Sequence, residues 1–217
     1  MTTPDDPGQL PGAGRMVAFV DASVAIALTL LVLPLTELVP EGDRPDVPVV
    51  EILTGNVPVF ASFLLSFVVI ARFWTVHHRL FGYAGRLTPR LVQLNLVWVL
   101  TIVILPFLTQ VVAGYGGDPA VVRSYVAVLA LCSLTLTTMA VLMRRVGAAD
   151  GDGSGPPESY IEGSIAASVD FVLALLLVLI VPQVNYWALL LLFIDPLTVR
   201  VVRRLRHRPS RRGPARG

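Results

Sequence analysis

Residues 15–34 read R-M-V-A-F-V-D-A-S-V-A-I-A-L-T-L-L-V-L-P, one arginine and one aspartate followed by an unbroken apolar run. A helix rises about 1.5 Å per residue, so roughly 20 such residues cross the ~30 Å of hydrocarbon in a bilayer. The first run extends over 16–38, and runs of the same kind recur near 57–76, 91–113, 120–143, 162–181 and 186–202. None alternates with the period of two that a membrane barrel strand shows. In lipid, only helices satisfy every backbone amide within one segment when no closed sheet exists. The chain therefore reads as all-α and polytopic, with six transmembrane helices.

Composition agrees. Of 217 residues, 54% are hydrophobic and only 15% charged, too apolar a balance for a domain that must cover its surface against water. Residues 1–14 are rich in Pro and Gly and carry Asp5 and Asp6 without a basic residue, which suits a short disordered tail rather than a secretory signal. A six-helix unit over 15–206 follows, then a basic tail over 207–217. Cys132, the sole cysteine, lies mid-span and reads as a small buried apolar residue.

All 17 basic residues are arginine. Placing the N-terminus inside puts all of them except Arg44 and Arg123 on the cytoplasmic side, and leaves Glu41, Asp43, Asp46 and Glu51 outside. That asymmetry orients the chain with both termini in the cytoplasm of a cell membrane. The run from Arg200 to Arg216 would attract phosphate from any source, but a stop-transfer anchor on anionic lipids needs no further partner, and no nucleic acid is expected.

Polar groups inside spans are costly and so point to function. With that orientation Arg15, Phe19 and Asp21 on the first span, Trp74 and His77 on the second and Asn95 on the third share the cytoplasmic depth. Asp21, His77 and Asn95 are expected to hydrogen-bond across three helices and set their rotation; the alternative is that Asp21 caps a helix end and His77 and His78 are interfacial. No nucleophile, metal-ligand spacing or phosphate-binding loop accompanies them, so neither an enzyme nor a cofactor is expected.

On the first span Ala22, Ile26, Thr29 and Leu33 recur at helical spacing along one stripe. Such a stripe serves ordinary helix packing or, with several copies around an axis, lines a pore whose apolar rings restrict a hydrated ion. A-G-Y-G-G-D at 113–118 superficially matches the filter tripeptide of conventional potassium channels, but it ends a full-length span with no re-entrant helix before it, and reads as a turn. The 147–158 segment, with G-D-G-S-G-P-P within it, reads as a flexible cytoplasmic linker without a site, and 182–185 as a tight hairpin between the last two spans.

Three motifs resemble the transmembrane protein 175 potassium channels. The family signature R-x-x-x-F-S-D is matched at Arg15, Phe19 and Asp21, and A-x-x-x-I-x-x-T-x-x-x-L-P follows from Ala22 to Pro34. W-x-x-H-x-R-L-F is matched by Trp74, His77, Arg79, Leu80 and Phe81, and L-N-L with a downstream L-P-F by residues 94–96 and 105–107. The motif serine is Val20 here, which removes one hydroxyl from the supporting network. The resemblance covers roughly 15–110. It implies a homotetramer with the first helix of each copy around a central pore, Ile26 as the main constriction and gate, Thr29 as a hydroxyl layer and Leu33 as a further apolar ring. Arg15, Phe19, Asp21, Trp74, His77 and Asn95 would hold that helix. Potassium would be the permeating ion, with no resident metal. The competing functions are a proton-coupled ion transporter using Asp21 and His77 as a relay, and a non-conducting membrane scaffold.

Overall fold

The computed structural model of the chain describes residues 12–39, 48–115, 118–151 and 153–181. The expected sixth span at 186–202, the 182–185 hairpin and the Arg200–Arg216 run lie outside the described residues. Among those described, every regular element is a helix: α1 (Ala13–Leu30), α2 (Leu33–Thr36), α3 (Val49–Gly55), α4 (Val57–Phe81), α5 (Pro89–Tyr115), α6 (Pro119–Asp150) and α7 (Glu158–Ile180). Five segments are long and apolar enough to cross a membrane: α1 with α2, then α4, α5, α6 and α7.

Local chemistry sets the boundaries. Pro34 lacks an amide proton, and the first span tightens just before it: Val32 N–H donates to Thr29 O rather than one residue further back, and α1 gives way to α2. Asp118 caps α6, its Oδ1 accepting from Ala120 N–H at 2.8 Å, with Pro119 at the first helical position where a missing donor costs nothing. Gly151 ends α6 with φ of 71°, a left-handed conformation that glycine adopts without a Cβ penalty. His78 and Arg79 close α4 at the end where the helix dipole favours positive charge.

Helix α5 is central. It packs on α1, α4 and α6, and buries Leu91, Asn95, Trp98, Ile102, Leu105 and Leu108. Helix α7 packs mainly on α6, with Phe73 of α4 stacked on Phe171 at 5.4 Å. Apolar burial alone drives little association in lipid, whose tails are as apolar as leucine, so interhelical polar contacts matter for specificity. One such seam joins three helices: Ser66 Oγ lies 3.0 Å from the Tyr125 hydroxyl and 2.7 Å from Thr109 Oγ1. Another joins α6 to α7 through Thr137, Ser168 and Ser133.

The glycine-rich connection between α6 and α7 is not a free linker. Gly155 N–H donates to Tyr83 O at 3.1 Å, the Tyr83 and Tyr160 rings meet edge to face, and Tyr160 Oη donates to Val76 O at 2.8 Å. Its composition had pointed to flexibility, whereas its glycines permit close approach: a Cβ on Gly147 would sit 1.9 Å from Ser154 O. The ion pairs Arg86–Asp150 at 3.5 Å and Arg144–Glu158 at 3.7 Å hold the same end of the bundle.

Candidate functional site

Helix α1 divides cleanly into two stripes. Met16, Val20, Val24, Ala27 and Leu31 are buried, at spacings of four or three that keep them on one face against α4 and α5. Ala22, Ile26, Thr29 and Leu33 face away from the chain's own bundle, Ile26 with 60% of its surface exposed and Leu33 with 49%. Thr29 Oγ1 donates to Ile26 O at 2.8 Å, so its proton is spent within the helix and its lone pairs face outward with the stripe. The irregular turn at residues 31–32 lies between Thr29 and Leu33.

Toward the other end of α1, four of the six expected network residues form two separate pairs. Asp21 Oδ1 accepts from Trp74 Nε1–H at 2.7 Å and lies 3.7 Å from His78 Nδ1, both on α4. His77 Nε2 lies 2.7 Å from Asn95 Oδ1, which ties α4 to α5. Asp21 therefore pairs with Trp74 and not with His77. Trp74 and His78, one turn apart, face α1, while His77 between them in sequence turns toward α5. Arg15 is exposed and engaged by a neighbour; Phe19 is half exposed on the outer side of α1, apart from both pairs.

His77 is fully buried, its ring stacked on Trp98 at 4.2 Å and on Phe81 at 4.4 Å. With Asn95 Oδ1 facing Nε2, that nitrogen carries the proton. Two flat faces, one bond and zero exposure give a rigid joint between α4 and α5. The Asp21–Trp74 bond then fastens α1 to the same helix. Together the two pairs tie α1, α4 and α5 to one another.

Glu162 and Asp170 of α7 were not singled out from the sequence. Both are buried and both make contacts within the bundle. The available signal was the presence of lone carboxylates within a run otherwise long enough to span. Among the described residues no group of three His, Cys, Asp or Glu side chains could hold a metal ion.

Comparison with known proteins bears on the same segment. Residues 15–106 match the family model described as endosomal/lysosomal potassium channel TMEM175. A Streptomyces collinus protein named as a potassium channel is 35% identical over 129 residues, 59% of this chain and 60% of that protein. The Mus musculus endosomal/lysosomal proton channel TMEM175 is 32% identical over 107 residues, 48% of this chain and 21% of the relative. The chain thus spans less than two thirds of the length of either relative. The crystal structure of a lysosomal potassium-selective channel TMEM175 homolog from Chamaesiphon minutus shares the fold, with a TM-score of 0.63 and 21% identity over 88% of this chain and 97% of that one. The matched segment, under half of the chain, is the one that holds the outward stripe and its two anchoring pairs, and over it the chain is similar to the TMEM175 channels.

Proposed function

We propose that the chain is one subunit of a potassium-selective channel, assembled as a homotetramer in which α1 of each copy lines a central pore. The observation that carries this reading is the outward stripe of α1. A helix whose family match and anchoring pairs are concentrated on it nonetheless leaves Ile26, Thr29 and Leu33 uncovered by its own chain. Four copies around an axis would face those side chains to one another. Ile26 then forms the narrowest apolar ring, which an ion passes by shedding part of its hydration shell, and potassium sheds water more readily than sodium. Thr29 supplies oxygen lone pairs beside it, and Leu33 a second apolar ring. Arg15, Phe19, Asp21, Trp74, His77 and Asn95 position the helix and do not touch the ion. The basic end of the bundle faces the cytoplasm of the cell membrane and meets anionic lipids there.

A relay through Asp21 and His77 is less favoured, because Asp21 bonds to Trp74 while His77 bonds to Asn95. Proton passage is nonetheless measured alongside potassium, since the animal relatives carry the name proton channel. The test is flux through purified protein in liposomes, with potassium, sodium and a proton gradient, for wild type and Ile26→Asn. Potassium-selective flux that loses selectivity in the variant supports the filter. Flux indifferent to Ile26 moves the pore elsewhere, and no flux in either protein supports a non-conducting scaffold.

A further inference from the structure

We infer that the groove between α5 and α6 at the basic end of the bundle is a binding site for a single anionic phospholipid, its headgroup held by Arg90 and Arg145. The groove has a volume of about 530 Å³, within the roughly 300–1,000 Å³ of small-molecule sites. Arg90 stands in the first turn of α5 and Arg145 near the end of α6, so two residues 55 apart in sequence meet at one rim. Gln93, one turn along α5, adds an amide. Below this rim the walls turn apolar: Leu94 and Val97 on α5, Val141 and Leu142 on α6. At about 1.5 Å per residue, these lie roughly 5–10 Å deeper in the bundle than the arginines. Donors at the interface above an apolar slot match a lipid's phosphate above its acyl chain.

Charge separates these two arginines from their neighbours. Arg86 is paired with Asp150 and Arg144 with Glu158, whereas among the described residues no carboxylate pairs with Arg90 or Arg145 and no partner satisfies the Gln93 side chain. Two uncompensated guanidiniums at the boundary of a membrane helix pair attract anionic headgroups, and basic pockets between such helices are known to hold them. The inference depends on membrane insertion and not on conduction.

The experiment uses the full chain in mixed phosphatidylcholine and phosphatidylglycerol membranes, with native mass spectrometry of retained lipid. A phosphatidylglycerol carrying a photoreactive group in its acyl chain maps the site. Wild type should retain phosphatidylglycerol over phosphatidylcholine and label peptides containing Leu94, Val97, Val141 or Leu142. Arg90→Gln with Arg145→Gln should weaken retention on the order of 10- to 30-fold, given about 1 kcal/mol per arginine near the surface. Arg86→Gln, whose charge Asp150 already balances, should change it less than about threefold. Val97→Trp fills the slot with both arginines intact, and should also abolish labelling, which keeps the test open if the double variant misfolds. Equal losses in all arginine variants with labelling spread over the bundle would overturn the site, since they would mean diffuse surface charge. Cross-links from the groove to residues 182–217 or to a second copy, with lipid retention unchanged, would overturn it as well.

Discussion

The His77–Asn95 pair allows a quantitative test of the joint between α4 and α5. His77→Phe keeps a flat ring between Trp98 and Phe81, so most of the stacking survives, but it deletes the bond to Asn95 and leaves that amide buried without a partner. A lost hydrogen bond costs about 0.5–1.5 kcal/mol and an orphaned buried group about 1–3 kcal/mol, though bonds between membrane helices average nearer ~0.6 kcal/mol. The expected loss is about 1–2.5 kcal/mol. Asn95→Leu strands the His77 ring in the same way, for a similar loss. In the double variant His77→Phe/Asn95→Leu both positions are apolar and close to native volume, so no buried group is orphaned and the double costs about as much as one single variant rather than two. The double should therefore recover most of one single-variant loss, a favourable coupling of about 1–2 kcal/mol. At about 2–4 °C per kcal/mol for a chain of this size, each single variant should fall by roughly 2–10 °C in thermal unfolding followed by fluorescence-detected size exclusion, with the double near or above the better single. Melting losses that add within about 0.5 kcal/mol would refute the reasoning, because additivity is what independent sites show.

Two further outcomes follow from burial and close approach. Val20 is fully buried on the stripe of α1 that faces α4 and α5, so Val20→Ser, which restores the family's motif residue, should cost about 1–2 kcal/mol through lost methyl packing; an unchanged or raised melting temperature would mean that a buried polar partner awaits the hydroxyl. Gly147→Ala places a Cβ against the Ser154 carbonyl, so it should loosen the α6–α7 connection and speed proteolytic cutting within 147–158, while cutting at the wild-type rate would show that the connection was already free.

The fold class was legible in the residues alone. Apolar runs of membrane length require helices in lipid, and the five that fall within the described residues coincide with long helices, α1 with α2 and α4 to α7. The motifs also located the segment that resembles the family, since the family match covers residues 15–106. Helical periodicity could place Ala22, Ile26, Thr29 and Leu33 on one stripe, because that depends on spacing within a single helix. It could not say which stripe of α1 its own bundle would cover. That depended on α4 and α5, later in the chain, as with Asp21 and Trp74, which are 53 positions apart.

The same limit explains the pairing of Asp21. Equal depth made His77 and Trp74 both available to it, and only the rotation of α4 decided that Trp74 and His78 face α1 while His77 faces Asn95 and Trp98. The glycine-rich connection after α6 looked flexible by composition, but glycine also allows backbones to touch, and the choice depended on Tyr83 and Tyr160 lying within reach. Arg90 and Arg145 were legible as interfacial charges, yet their convergence on one groove needed α5 and α6 to pack antiparallel with those faces together. Composition and period act along one helix at a time, whereas rotation and pairing between helices are settled by side chains far apart in sequence, and these exist as neighbours only once the bundle has formed.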